Sequence, residues 1–309
     1  MDRPNVYFLG LATEKSASRR IFPAWAEAIG WSASLVGVDL PQETDCDGYR
    51  TFLAQLKGDK LCAGAQVTVH KVGLYRCLAA DFDDLDDDAR SLGEVGGISV
   101  RQEVLAAFSP DMLALSGELE EILAKYSAGR KPGEMVILGG GGAGRAIALA
   151  SARLGSAAFS KITVTEQDDE VKGDLEQHLT RKFSEIGWSD FRIDDAGKND
   201  DIVGSAASGS FIVNATGLGK DAAGSPISRD TLLPRDSVAW DLNYHGDLAF
   251  LTHARQEASA RQVVVRDGWS FFLRNWYACL TRLADRAPSV RQFERFCMAS
   301  DSVRPRSQF

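Results

Sequence analysis

Short apolar runs and amphipathic stretches alternate along this chain, and the apolar period switches between about two and about three and a half residues. Residues 6–11, 33–38 and 65–69 are short apolar runs of strand length. Each precedes a stretch with apolar positions at helical spacing, residues 21–29, 49–56 and 72–78. Residues 113–125 continue as a helix, and a breaker-rich connection, Ser127 to Gly133, follows it. The second half repeats the alternation. Strands are expected at 135–138, 162–165, 211–213, 238–241 and 263–265, with helices starting at 145, at 175–186 and at 269–284. A short amphipathic stretch, 293–298, reads as a last helix with a frayed end. Strands alternating with helices predict an α/β protein whose sheets are rich in parallel strands. Its length of 309 residues suits two domains, with a boundary within residues 113–133.

The strand at 135–138 runs directly into Gly139-Gly140-Gly141-Gly142-Ala143-Gly144 and then into the helical pattern. Gly139, Gly141 and Gly144 satisfy G-x-G-x-x-G. The first glycine permits a tight turn, the second lets backbone approach a pyrophosphate, and the third lets helix pack on strand. The helix start offers N–H groups and the positive end of its dipole to phosphates. With strand, turn and helix in order, the segment predicts a doubly wound, Rossmann-type dinucleotide-binding domain rather than a structural glycine turn. Glu166 stands 22 residues beyond Gly144, where an acid can accept from ribose hydroxyls.

Composition narrows the class. The formal net charge is −8, and no basic tract points to nucleic acid. No apolar run approaches the roughly 20 residues of a membrane span, and no signal-peptide pattern opens the chain. Cys46, Cys62, Cys77, Cys279 and Cys297 show no C-x-x-C spacing, so reduced thiols in a cytoplasmic protein are expected. Six aspartates crowd residues 81–88, but without the glycine and ligand spacing of a calcium loop they read as a solvated acidic loop, and no metal site is expected.

Several segments carry candidate chemistry. Gln66-Val67-Thr68-Val69-His70-Lys71 closes a strand with a cation, and a lysine there can protonate or polarise an oxygen that gains charge as a ketone is reduced. It needs an orienting carboxylate, and Asp111 is the candidate. His70 ranks below Lys71, because adjacent strand residues point to opposite faces. Ser16 and Ser18 follow the first strand and suit a substrate carboxylate, although Ser18 could equally cap the helix after it. Asn214 to Gly219 and Asp241 to Tyr244 follow later strands, at the sheet edge where open α/β sheets bind ligands.

In order and spacing, these segments resemble the shikimate/quinate dehydrogenase family over most of residues 6–284. The family's G-x-P-I-x-H-S-L-S-P corresponds to Gly10 to Arg19, with both serines kept. Its N-V-T-I-P-H-K corresponds to Gln66 to Lys71, shortened by the proline, and its N-T-D to Ser109-Pro110-Asp111. G-A-G-G-A-x-R-A matches Gly139 to Ala146, I-N-A-T-x-x-G matches Val213 to Gly219, and D-x-x-Y matches Asp241 to Tyr244. D-G-x-x-M-L-x-x-Q becomes Asp267 to Asn275. The resemblance implies catalysis by Lys71 with Asp111, and substrate contacts from Ser16, Ser18, Thr68, Tyr244 and Asn275. It implies cofactor contacts from Gly139, Gly141, Gly142, Ala143, Gly144, Glu166, Asn214, Thr216 and Gly268. Residues 1–112 would bind substrate, with 269–290 returning to them. Residues 113–268 would bind the dinucleotide, and 291–309 would form a tail.

Departures gather where substrate would lie. Gly96 stands for the asparagine of G-A-V-N-T, Ser109 for that of N-T-D, and Asn275 for the last glutamine, so the pocket is expected to gain room and lose donors. Trp269, Phe271 and Phe272 would partly refill it. Family members using NADP have Asn-Arg where this chain has Glu166-Gln167, followed by Asp168, Asp169 and Glu170. NAD is therefore expected over NADP. The expected function is hydride transfer between nicotinamide and a secondary alcohol or ketone of a hydroxylated carboxylic acid, by a monomer or homodimer. Two alternatives remain: an idle NAD-binding regulatory protein on the same fold, and another two-domain enzyme, glutamyl-tRNA reductase-like or methylene-tetrahydrofolate dehydrogenase-like.

Overall fold

The computed structural model describes residues 3–126, 133–220 and 222–304, so the Ser127–Gly133 connection up to residue 132 and the last five residues of the tail lie outside the described residues. The chain forms two compact units, one of residues up to Ala114 with Leu273–Arg304, the other Leu115–Phe272.

In the first unit the expected alternation appears as β1 (Asn5–Gly10), α1 (Ala17–Ala28), β2 (Ser34–Asp39), α2 (Cys46–Gly58), β3 (Cys62–Val67) and α3 (Lys71–Leu78). Then come β4 (Asp84–Leu85), α4 (Asp87–Leu92), β5 (Gly97–Arg101), β6 (Val104–Phe108) and the first turn of α5 (Pro110–Tyr126), which continues into the second unit from Leu115. The sheet order is β2-β1-β3-β5-β6-β4. β1, β2 and β3 are parallel, whereas β5 runs antiparallel to both β3 and β6. The β5–β6 hairpin escaped the sequence pattern because its two-residue turn is Gln102-Glu103, both at positive φ (48° and 68°), without the Asn-Gly or Asp-Gly that usually marks such a turn. Val6, Leu9, Ala65, Val67, Ile98 and Ala107 are fully buried in this sheet.

Two expectations are corrected here. The acidic run at 81–88 is solvated as expected, its aspartates exposed or half-buried, but it is not a plain loop. Asp83 accepts from the Leu105 N–H at 2.8 Å, Asp84 and Leu85 pair with β6, and Asp86 caps α4 by accepting from the Ala89 N–H at 2.7 Å. An aspartate run that reads as solvation thus does capping work. Nor are all thiols reduced: Cys46, opening α2, and Cys77, near the end of α3, form a disulfide with Cα atoms 5.2 Å apart. Packing of α2 against α3 brings together two cysteines 31 residues apart, which spacing alone does not show.

The second unit contains β7 (Gly133–Leu138), α6 (Gly142–Leu154), β8 (Phe159–Glu166), α7 (Asp169–Glu185), β9 (Phe191–Asp195), α8 (Asn199–Ser205), β10 (Phe211–Asn214), β11 (Val238–Asp241), α9 (Ala249–Arg261) and β12 (Val264–Arg266). All six strands are parallel in the order β12-β11-β10-β7-β8-β9, so the chain moves outward from β7 in both directions, the doubly wound arrangement. Met135 to Leu138 are fully buried, as a central parallel strand requires.

The last helices are α10 (Trp269–Leu283) and α11 (Val290–Ser300). The amphipathic stretch at 293–298 packs as part of α11. Phe296, fully buried, stacks on Trp25 of α1 at 4.7 Å between ring centroids, and Trp25 donates to Ser300 Oγ at 2.7 Å. Among the described residues no helix is long and apolar enough to cross a membrane.

Candidate active site

The Gln66–Lys71 segment leaves the sheet earlier than its apolar pattern indicates. β3 ends at Val67, His70 caps α3 and Lys71 is the first helical residue. This turn aims Lys71 at α5, whose second residue is Asp111. Lys71 Nζ donates to Asp111 Oδ2 at 2.6 Å, and Asp111 is only 2% exposed. Asp111 Oδ1 accepts from the Asn275 side-chain amide, and Asn275 Oδ1 accepts from Gln66 Nε2 at 2.7 Å. A chain of hydrogen bonds therefore runs from Gln66 through Asn275 and Asp111 to Lys71, all within the first unit.

Burial draws the Lys71 ammonium towards losing its proton, but the charges of Asp111 and then Glu94, with the Asp111 hydrogen bond, more than offset this. The lysine pKa stands above its ordinary value, so Lys71 is an ammonium at neutral pH. His70 lies elsewhere: its ring contacts the Tyr49 hydroxyl and the Leu40 carbonyl, each at 3.1 Å, and it is buried. Its part is to pack α3 on α2.

Ser16 and Ser18 combine both readings of their segment. Ser16 Oγ accepts from the Ser18 N–H at 3.3 Å, capping α1, and the two hydroxyls lie 2.6 Å apart. Thr68 Oγ1 donates to the Leu9 carbonyl at 3.1 Å, beside the end of β1. The Ser16–Ser18 loop follows β1 and Thr68 follows β3, and these neighbours are parallel, so both loops lie at the carboxyl edge of the first sheet. Arg19 pairs with Glu14 at 3.0 Å.

The altered positions do not open the pocket as expected. A Cβ on Gly96 would lie 2.7 Å from Pro110 Cδ, so proline already fills that space. Ser109 Oγ donates to Glu94 Oε1 at 2.8 Å, and Asn275 is occupied by Asp111 and Gln66. Trp269 and Phe272 pack on Tyr244 in the second unit, with centroids 5.2 and 4.8 Å from its ring. Burial pushes the Tyr244 hydroxyl up to about 12.

The glycine turn has the shape a pyrophosphate needs. Gly139 takes φ +107°, a Cβ on Gly144 would collide with the Gly139 carbonyl, and a Cβ on Gly141, which caps α6, would meet nothing within 4 Å. Gly142, Ala143 and Gly144 open the helix, whose first-turn N–H groups lack intrahelical partners. Asn214 organises the neighbouring loop: its Oδ1 accepts from Thr216 N–H and Oγ1, and its amide donates to Leu218 O and to Asp241 Oδ2. Gly268 must be glycine, since a Cβ there would strike the Leu242 carbonyl. These residues fit a dinucleotide.

No known family profile matches the chain. Curated relatives do. The shikimate dehydrogenase (NADP(+)) of Methanocaldococcus jannaschii is 26% identical over 204 residues, covering 65% of each chain. That of Pyrobaculum aerophilum is 28% identical over 57% of this chain and 61% of its own length. The chain thus spans a little under two thirds of the length of these two relatives. That of Paramagnetospirillum magneticum is 27% identical over 86% of this chain and 87% of its own. A crystal structure of a shikimate dehydrogenase in complex with NADP+ superposes with a TM-score of 0.75 at 19% identity, over 98% of this chain and 96% of that one. The chain is thus similar to shikimate dehydrogenases in sequence and in fold.

The expected preference for NAD does not stand, because these relatives are named for NADP(+). The local structure shows why the acidic residues misled. Glu166 Oε2 accepts from the Gly140 N–H at 2.9 Å, and its Oε1 accepts from the N–H groups of Gln167 and Asp168. Asp168 caps α7, and Asp169 pairs with Lys172 at 2.7 Å. The run shapes a turn and a helix start, and its charge is partly neutralised.

Two members of the cluster escaped sequence reading. Gln66 lies within a quoted segment, but its partner is 209 residues away. Glu94 left one trace, a lone charge in the small-residue run Gly93-Glu94-Val95-Gly96-Gly97.

Proposed function

We propose that this chain is an oxidoreductase of the shikimate/quinate dehydrogenase type that uses NADP(H) and interconverts a secondary alcohol and a ketone on a hydroxylated carboxylic acid. The observation that carries this reading is the 2.6 Å pair of a half-buried Lys71 and a buried Asp111, the first at a helix start and the second held by Asn275. A lysine kept charged by carboxylates is a proton donor positioned for an oxygen that becomes an alkoxide. Asp111 orients it and keeps its charge, and the paired hydroxyls of Ser16 and Ser18 are donors for a substrate carboxylate. The glycine turn Gly139–Gly144, with Asn214 and Thr216 shaping the adjacent loop, holds the dinucleotide in the second unit, while the first unit binds substrate. When bound, the nicotinamide ring supplies or accepts the hydride.

Substrate choice follows from the altered positions. Ser109 donates its hydroxyl to Glu94, Asn275 commits one N–H to Asp111 and accepts from Gln66, and Gly96 offers no side chain, so these three positions have fewer groups left to read ring hydroxyls. Sites that pair substrate hydroxyls discriminate strongly by those pairs. Shikimate should therefore be a poor substrate beside a differently hydroxylated acid. The test is a spectrophotometric screen of shikimate, quinate and other cyclic and acyclic hydroxy acids with NADP+ at fixed pH. Turnover of at least one acid, lost in Lys71→Ala, supports the reading. Absence of turnover across the panel despite NADP+ binding would replace it with an idle ligand-binding role.

A further inference from the structure

Lys71 has more than one carboxylate about it. Glu94 lies between α4 and β5 and is 2% exposed, as buried as Asp111. Three ties bring its segment to the lysine. Ser109 Oγ donates to Glu94 Oε1 at 2.8 Å, two residues before Asp111. The Val95 N–H donates to the Lys71 carbonyl at 3.0 Å. A Cβ built on Gly96 would lie 3.7 Å from Lys71 Cε, so the loop that carries Glu94 passes alongside the lysine side chain. Burial of a carboxylate is costly unless its charge is compensated, and the Lys71 ammonium is one charge with which Glu94 interacts.

We propose that Glu94 is a positioning residue for Lys71, a second buried carboxylate latched by Ser109 that shares with Asp111 the task of fixing the ammonium at the reacting site. This role rests on reading Lys71 as the acid–base group. The groups that act on Lys71 are Asp111 from α5, Glu94 from the α4–β5 loop and Cys279 from α10. Burial holds the Cys279 thiol far above its ordinary range, so at neutral pH it brings no charge. The two carboxylates are then what keeps Lys71 protonated. Asp111 touches it directly, and Glu94 acts through the field and through the backbone tie at Val95.

The test reads the lysine itself and needs no turnover. The Lys71 side chain is 19% exposed, open enough for a small acylating reagent. Trace acetylation with acetic anhydride across pH, with the Lys71 peptide quantified by mass spectrometry, gives the midpoint at which the amine becomes reactive. Glu94→Gln should move that midpoint down by about one pH unit, the lower range for loss of a nearby opposite charge. Glu94→Asp should restore most of it, and Ser109→Ala should give a smaller fall. With an acid that turns over, the limb of the kcat profile set by Lys71 should shift with the labelling midpoint, while KM for NADP+ stays. An unchanged midpoint in Glu94→Gln or in Ser109→Ala, whichever folds as judged by circular dichroism, would overturn the proposal. Normal kcat in Lys71→Ala would refute Lys71 as the acid–base group and leave the labelling result to judge Glu94 separately.

Discussion

Lys71 and Asp111 are separated by 40 residues, yet each is useless without the other. A lone buried ammonium would lose its proton, and a lone buried aspartate would be costly to ionise. Replacing Lys71 by Ala should lower kcat by about 10²–10⁴, the usual range for a positioned acid–base group, with little change in NADP+ affinity by fluorescence titration. Asp111→Asn keeps a hydrogen-bond acceptor near Nζ but removes the charge. It should lower kcat too and leave the protein folded, as a melting curve would show. A fall in NADP+ affinity as large as the fall in kcat would mean that the pair supports the fold and not the reaction. Asn275 belongs with this pair, since its amide is committed to Asp111 and Gln66 and its substitution should act through Asp111.

At the level of elements, α3 is the carrier of the site. Its first residue is Lys71, its cap His70 meets Tyr49 of α2, and its Cys77 is bonded to Cys46 at the start of α2. A covalent tie and a buried aromatic contact thus hold α3 against α2 from its two ends. Breaking the tie with Cys46→Ser and Cys77→Ser together should destabilise the protein by about 2–4 kcal/mol, the usual range for a disulfide, read from urea unfolding. Denatured but unreduced protein should titrate three thiols, those of Cys62, Cys279 and Cys297. Five thiols would show that the bond does not form in the isolated protein, and the double variant would then match the parent.

For the molecule as a whole, pH dependence should come partly from the second unit. Burial raises Asp241, at the end of β11, to about 7, although it accepts hydrogen bonds from Asn243 N–H and Asn214. In the unfolded chain the same group titrates near 4. Between these values the folded protein holds a proton that the unfolded chain releases, so stability falls as pH rises through this window and levels off above it. Asp241→Asn cannot lose that proton. Its stability relative to the parent should therefore rise between pH 5 and pH 8, on the order of a few kcal/mol, as measured by urea midpoints at the two pH values. A constant difference across that range would show that Asp241 is ionised throughout in the folded protein.

The sequence by itself determined the elements whose signals are local. The strand–glycine–helix run at residues 135–150 places β7 and α6, because apolar period, turn glycines and helix formers all lie within 16 residues. It also marked Lys71 and Asp111 by residue type and position. Tertiary structure decided the rest, for reasons of distance and competition. The β5–β6 hairpin has a turn without its usual residues, the Cys46–Cys77 bond depends on how two helices pack, and Gln66 finds Asn275 only in the folded sheet. Acidic residues were the least legible. An aspartate or glutamate can cap a helix, close a turn, pair with a cation or hold a proton. Which of these Asp86, Glu166, Asp241 and Glu94 does is set by neighbours that the linear pattern does not contain.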